Sequence, residues 1–465
     1  MSAPRSLASR DSDESSTYAK ATWRLLPFLF LCYLCAYLDR INVAFAKLQM
    51  LQDLRLSDAV YGVGASMFFV GYLIFEVPSN LILLRVGARR WIARIMVTWG
   101  LISAGMLFVT TPASFYVMRF LLGVAEAGFI PAILLYLTYW FPASRRSKVT
   151  ALFLTGIPMS GVVGGPLSGW LMMHLGGVYH LAGWQWLFLL EGIPTALLGV
   201  AAFFFLDDKV ADARWLSHTQ KAMIEDNLRQ ELPAHAMHSV KDGLINPKVL
   251  LLSVIYFFYT MGLYGVSFWL PTLIKASGVA NPLHIGLLTA IPYAAAALAM
   301  VMVSHSSDRS GERRWHLILP GLAGAAGLYL SVVFAHSTTI ALAALTLGTM
   351  GVMTTISQFW VMPPAMLSGG AAAAGLALAN SVGSLSGVVS PSVIGFIQVS
   401  TGSTGAGVLG LAASLVIGGA LVLAVPARLV NSARRGSGCD SGQASGRAGG
   451  QAAGPAGQRR FGDLA

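Results

Sequence analysis

The chain has 465 residues, 55% hydrophobic and 11% charged, with a mean hydropathy of +0.66. Soluble domains carry about 25% charged residues, so a string of water-soluble domains is excluded and most of the chain must face something other than water. A formal net charge of +11 would raise nucleic acid as a partner in a soluble protein. Here the basic residues gather in short loops and two tails, which fits a bilayer and no nucleic acid.

The first twenty or so residues are polar and include Asp11, Asp13 and Glu14, which argues against a transit peptide. The apolar run that follows is too long for a signal-peptide core, so it is expected to stay in the mature protein. Residues 1–21 read as a polar tail. Crossing a bilayer takes about 20 apolar residues, and six such runs fall near 22–46, 60–84, 91–110, 112–138, 149–172 and 184–206. A polar stretch, 207–247, holds Asp207, Asp208, Lys209, Glu225, Asp226, Arg229 and Glu231. Six more runs follow near 248–271, 283–304, 315–335, 339–362, 372–397 and 405–426. The remainder, 428–465, is rich in Gly, Ala, Ser and Arg and reads as disordered. Cys32 and Cys35 lie within the first run and Cys439 in the tail. The Cys-x-x-Cys spacing lacks a thioredoxin-like setting, so the first two read as small buried side chains.

Twelve spans put both termini on one side. Arg85, Arg89 and Arg90 fall in the loop after the second span, Arg145, Arg146 and Lys148 after the fourth, and Arg309, Arg313 and Arg314 after the eighth. The alternate loops hold scattered basic residues such as Lys47, Arg55 and Lys275. The positive-inside rule then predicts cytoplasmic termini and a cytoplasmic central loop, in a cell (inner) membrane.

The halves repeat. Arg85-Val86-Gly87-Ala88-Arg89-Arg90-Trp91 matches Arg309-Ser310-Gly311-Glu312-Arg313-Arg314-Trp315, and Ser160-Gly161-Val162-Val163 with Pro166 matches Ser386-Gly387-Val388-Val389 with Pro391, at nearly the same offset. The predicted fold is therefore an all-α membrane protein whose 12 transmembrane helices form two parallel six-helix bundles, 22–206 and 248–427. Glycines recur at small-xxx-small spacing in the fifth and eleventh spans. They serve either static close packing or smooth faces on which the halves rock.

Charges inside spans carry the functional signal, since each costs about 2.5–3.5 kcal/mol near the bilayer centre on insertion scales. The first span contains Tyr37-Leu38-Asp39-Arg40-Ile41-Asn42, a polar patch that suits a cavity or a structural ion pair with another span. In the fourth, Arg119 and Glu126 share a face roughly 10 Å apart along the axis, with Gly123 and Gly128 beside them. An arginine there can grip a carboxylate by a forked, charge-assisted pair; the glutamate can load and release a proton, or the two can simply neutralise charges in the first span. Glu76, in the second span before Pro78, Ser79 and Asn80, and Glu191, in the sixth, read as structural ion pairs, with Glu76 also placed to latch the basic loops as a gate. Trp184 and Trp186 read as an interfacial belt. Spans of the second half carry charge only at their ends, Asp308 included, and offer Tyr256, Tyr259, Tyr264, Trp269, Gln358, Trp360, Asn380, Ser381 and Ser384 instead. Trp360, beside Pro363 and Pro364, is the leading substrate contact among them. No His-Glu-x-x-His, phosphate loop or paired aspartates in facing spans are found, no metal or cofactor is called for, and the polar segments are too short for a sensor's output domain.

These motifs resemble the anion:cation symporter family of the major facilitator superfamily. The resemblance rests on Tyr37-x-Asp39-Arg40-x-Asn42, Phe75-Glu76-Val77-Pro78-Ser79-Asn80, Arg119-x3-Gly123-x2-Glu126-Ala127-Gly128, Trp184-Gln185-Trp186, Phe268-Trp269-Leu270-Pro271, Ser307-Asp308-Arg309 and Asn380-Ser381-x-Gly383. It covers roughly residues 20–430 and is closest to the bacterial tartrate, phthalate, hydroxyphenylacetate and sugar-acid permeases. It implies carboxylate uptake with protons or sodium. It makes Asp39 and Glu126 proton-coupling residues, Arg40 the carboxylate-binding arginine and Arg119 a support for coupling, and it places Tyr72 and Trp360 at the site. The patch residues Tyr37, Gln358 and Ser384 join the substrate set, and Asn42 and Asn380 the supporting set. The family often carries asparagine where this chain has Ser384, which predicts a bulkier or less hydroxylated acid than a sugar acid. The expected partners are a small organic anion, protons and the bilayer, with the monomer as the working unit. An anion exchanger or uniporter would need Arg40 but not both carboxylates.

Overall fold

The computed structural model describes residues 7–230, 246–366 and 370–431. These are helical with no strand among them, and twelve helices are long and apolar enough to cross a membrane. They run Asp13–Asp53, Asp58–Val86, Ala88–Phe108, Pro112–Thr138, Ala143–His174 and Gly183–Phe205, then Pro247–Ala276, Pro282–Ser310, Arg314–Val333, Thr338–Phe359, Gly375–Thr401 and Thr404–Leu423. All twelve expected spans are present.

Local chemistry sets several of their ends. Asn246 and Asn281 each accept from backbone N–H groups of the first turn of a helix whose first residue is proline, Pro247 and Pro282. The polar cap satisfies orphan donors, and proline loses nothing where its missing N–H has no partner. Thr111 and Ser114 cap the fourth span reciprocally around Pro112. That span breaks after Glu126, where Gly128 takes φ +87°, and resumes as Phe129–Thr138.

Two expectations change at the edges. The first helix begins at Leu7, so most of the expected N-terminal tail continues the first span as helix. The polar central segment contains a helix, His218–Gln230. Residues 231–245, the tail beyond Asn431 and Cys439 lie outside the described residues.

The packing repeats as the sequence does. The third span packs on the sixth and the ninth on the twelfth; the second packs on the fourth and the eighth on the tenth. The halves meet through the fifth span on the eighth and through the second on the eleventh. The loop repeat has a matching device in each half: Arg89 N–H donates to Asp208 at 2.9 Å, just past the sixth span, and Arg313 N–H donates to Asn431 at 2.8 Å, just past the twelfth.

Inter-half contact is closest on the side opposite the chain termini. A Cβ on Gly165 would sit 2.5 Å from the Gly286 carbonyl oxygen, and a Cβ on Gly62 would sit 2.5 Å from the Pro391 carbonyl oxygen. These two contacts are mates in the repeat. Real Cβ atoms do not approach so closely, so glycine at each position is a condition for the backbones to touch. Helices at the terminus side, Ala143–Leu154 and Met362–Met366, pack mainly within their own halves.

Candidate functional site

Arg40 of the first span forms an ion pair with Glu126 at the break in the fourth. Both side chains are withdrawn from solvent, at 14% and 2% exposure. The guanidinium carbon lies 5.5 Å from the Tyr37 ring centroid, 5.3 Å from Phe68 and 5.8 Å from Tyr72, distances at which ring faces attract a cation. The pair therefore sits in an aromatic cage between the first, second and fourth spans. The break at Gly128 ends the upper helix at Glu126, and the missing Cβ of Gly123 lets the fourth span press against the Phe68 backbone of the second.

Arg119 lies on the same helix as Glu126 and is fully buried. Its guanidinium stands 5.1 Å from the Phe68 ring, and all three of its nitrogens lack a hydrogen-bond partner. A buried guanidinium without a partner is costly and marks a place where an anion would be welcome. Arg40 and Glu126 are among the charges acting on it.

Asp39 turns away from Arg40, as a step of about 100° per residue requires. It is buried and accepts from Ser103 of the third span at 2.8 Å and from Asn42 at 3.3 Å. Glu191 of the sixth span accepts from Ser168 of the fifth at 3.0 Å. The ion pairs expected for Glu191 and Glu76 are absent among the described residues. Glu191 has hydroxyl and amide neighbours but no cation, and Glu76 accepts from Asn380 of the eleventh span at 3.1 Å, across the halves. Position in the sequence gave no sign of which span each glutamate would face.

The second half contributes rings and neutral polar groups. Trp360 donates to the Tyr256 hydroxyl at 3.2 Å, and Tyr264 packs on Phe69 of the second span at 4.4 Å between centroids. Gln358 is turned into its own half, donating to Ser304 at 2.8 Å. Ser384 is buried at 7% exposure. Among the described residues, no group of three or more His, Cys, Asp or Glu is arranged to hold a metal.

Two residues read from sequence as peripheral are internal. Lys47, grouped there with loop residues, is 4% exposed; its ammonium lies 2.7 Å from Asp58, 3.5 Å from the Trp269 ring centroid and 4.7 Å from that of Tyr61. Tyr61 donates across the halves to the Phe268 carbonyl at 2.9 Å. Trp184 is buried and donates to Asp53 at 2.8 Å instead of joining a belt. Both lie near the end of an apolar run, where sequence alone separates a sealed end from a wetted loop poorly.

The basic loops pair within their own halves. Arg89 meets Asp208 at 3.6 Å, Arg313 meets Asp308 at 2.6 Å, and Arg314 donates to the Leu423 carbonyl at 2.6 Å. Arg85, Arg90 and Arg309 are exposed. Glu312 caps the ninth span through the Trp315 and His316 N–H groups.

The sequence profile of the Major Facilitator Superfamily matches residues 29–391. The chain belongs to that superfamily. A Pseudomonas putida relative named for metabolite transport, NicT, is 49% identical over 90% of this chain and 97% of its own length. An Agrobacterium vitis relative named as a tartrate transporter is 47% identical over 88% of this chain and 91% of its own. Among solved structures, a D-xylose–proton symporter superposes with a TM-score of 0.70 at 15% identity, covering 87% of this chain and 98% of that one. This superfamily member is accordingly a multi-pass membrane transporter, and the site above lies inside its helical bundle.

Proposed function

We propose that this transporter takes up a small organic carboxylate together with protons by alternating access. The observation that carries the reading is the Arg40–Glu126 pair in its aromatic cage. A substrate carboxylate and the Glu126 carboxylate compete for one guanidinium. Protonating Glu126 removes its charge and frees Arg40 for a forked pair with the substrate. Proton loading and anion binding then favour each other, which is coupling in thermodynamic terms. Asp39 is the second proton site, behind Arg40 on the same helix. Arg119 holds the local potential positive, which keeps an anion in a cavity with few other compensating charges. Tyr37, Tyr72, Trp360 and Ser384 shape the site, with Gln358 supporting it from within the second half.

The side opposite the termini is the external face on the positive-inside argument, in a bacterial inner membrane. It is held shut by the Gly165–Gly286 and Gly62–Pro391 contacts and by Lys47 against Trp269. The two halves rock about the bundle centre to open it. The named substrates of the relatives support an organic acid as cargo, with tartrate the first candidate to test. Two protons make entry of a dicarboxylate such as tartrate electroneutral, whereas a monoanion entering with two protons carries one positive charge inward, gaining about 2.3 kcal/mol per 100 mV of inside-negative potential. The test is accumulation of labelled tartrate and a panel of aromatic and sugar acids in proteoliposomes under an acid-outside gradient. Accumulation that ignores the pH gradient but follows sodium, or exchange without accumulation, would replace this reading with a sodium symporter or an exchanger.

A further inference from the structure

Within the first half, Asp39, Asn42 and Glu191 form a buried group, at 0%, 1% and 6% exposure. Glu191 lies within electrostatic reach of Asp39 and beside the Asn42 side chain. The hydrogen bonds onto the group come from Ser103 and Asn42 to Asp39 and from Ser168 to Glu191; the Thr195 hydroxyl and the Trp99 indole also act on Asp39, and the Asn42 amide on Glu191. Three acceptor oxygens have no donor: Asp39 Oδ2, Asn42 Oδ1 and Glu191 Oε2. Buried acceptors left unpaired cost about 1–3 kcal/mol each, and this set lies in one place. Trp99 Nε1–H, itself without a partner, is near enough to act on Asp39, so the shortage of hydrogens falls on Asn42 Oδ1 and Glu191 Oε2. A carboxyl proton supplies it, because a protonated carboxyl becomes a donor as well as an acceptor. Titratable groups that act on the pair are Cys35 of the first span, on both carboxyls, and Glu126 of the fourth, on Asp39; the third span presents the Ser103 hydroxyl and the Trp99 indole, and the fifth the Ser168 hydroxyl. No cation pairs with either carboxyl among the described residues.

We infer that Glu191 is a further proton-binding residue of the transport cycle, sharing one proton with Asp39 beside the Asn42 amide. When the shared proton sits on Glu191, its O–H bond faces the Asn42 oxygen and Asp39 is the carboxylate held by Ser103. When the proton moves, the O–H bond on Glu191 breaks and one forms on Asp39, while Asn42 keeps its own N–H and C=O bonds and only turns its amide to follow the proton; Glu191 becomes the carboxylate held by Ser168. No other reactant enters. The sixth span, which packs on the first, thereby joins the proton path. This rests on the proton-coupled reading above and deepens it.

The test uses the purified full chain in lipid and needs no substrate for its first readout. Infrared difference spectra across a pH titration report the protonated-carboxyl bands. Glu191→Gln is expected to remove one pH-dependent band and to move the remaining transition by about one pH unit, the least shift expected of a coupled pair. The direction is toward acid, because the amide donates to Asp39 and favours its carboxylate. In proteoliposomes the half-maximal pH of tartrate uptake should move the same way. Ser168→Ala, which removes the donor to Glu191 while leaving both carboxyls, should move the transition toward alkali and serves if the glutamine variant does not fold. Unchanged spectra and pH profiles in a folded Glu191→Gln protein overturn the inference, as does a Glu191 band that persists at every pH, which marks a static acid. Wild-type uptake indifferent to pH would instead count against proton coupling itself, and the infrared titration would still decide whether the two carboxyls share a proton.

Discussion

The two halves share a fold and divide the chemistry. Spans of the first half carry Asp39, Arg40, Lys47, Glu76, Arg119, Glu126 and Glu191 within the bundle, all but Arg40 buried at 7% exposure or less. The second half meets them with rings and neutral groups: Tyr264 beside Phe69, Trp269 under Lys47, Asn380 on Glu76. Backbone packing is equivalent in both, down to the paired hydrogen bonds from Arg89 to Asp208 and from Arg313 to Asn431. The lesson is that symmetry here governs the packing of the two halves, while the buried charges on which the proposed proton and anion chemistry rests sit on one side of it. Among the described residues no ion pair joins the halves, so a charge-poor half can move against a charged one without separating buried ion pairs.

The largest expected effect comes from removing the centre of the charged half. Arg40→Ala leaves Glu126 buried without its counter-ion, which costs about 3–5 kcal/mol for a buried pair, and it removes the anion's partner. Binding of labelled tartrate should be lost. If Arg40→Ala binds normally while Glu126→Gln does not, the roles assigned to the pair are reversed.

Next is the seal between the halves. The Lys47 ammonium on the Trp269 ring is a desolvated cation–π contact worth about 2 kcal/mol, so Lys47→Met should shift the balance between closed and open external faces by roughly thirtyfold. In a chain with Cys32, Cys35 and Cys439 replaced by serine, maleimide labelling of Thr289→Cys from outside should rise accordingly. No rise would show that the glycine contacts close this face unaided.

A smaller effect belongs to the neutral half. Ser384→Asn adds an amide donor and acceptor on a longer stem, and competition should move from an aromatic acid toward a sugar acid by several-fold, the scale of one hydrogen bond. An unchanged ranking with normal uptake would return Ser384 to packing.

Smallest is a charge at the bundle's edge. Burial opposes ionisation of Glu312, but hydrogen bonds from Trp315, His316 and Asn431 outweigh it and hold the carboxyl below the ordinary glutamate range. A depressed value stabilises the fold above the unfolded value and loses that contribution as pH falls through the folded one. Glu312→Gln should therefore lower thermal stability at neutral pH, by less than about 1 kcal/mol given its solvent screening, with the difference closing in acid. A constant difference across pH would assign the effect to cap geometry rather than charge.

Much of this was legible in the sequence. Twelve spans, the internal repeat and the charged residues of the first, second, fourth and sixth spans follow from hydropathy and spacing. What was not legible depends on rotation and on long-range pairing. Arg40 and Glu126 are far apart in the chain, and nothing local chooses between that pair and Arg119 with Glu126. Lys47 sits at the end of an apolar run where a window average cannot tell a sealed end from a loop. Leu7 opens a helix through polar residues that carry no apolar period. That neither Glu76 nor Glu191 forms an ion pair among the described residues emerges only when the facing helices supply amides and hydroxyls.

The most direct test of the account is accumulation of labelled tartrate, or of the best substrate from the panel, by proteoliposomes under an acid-outside gradient, wild type beside Glu126→Gln. The account predicts pH-driven accumulation by the wild type, and a variant that exchanges substrate across the membrane but no longer accumulates it, because Arg40 is permanently free of its competitor. Accumulation by Glu126→Gln equal to wild type, with the same pH dependence, would contradict it.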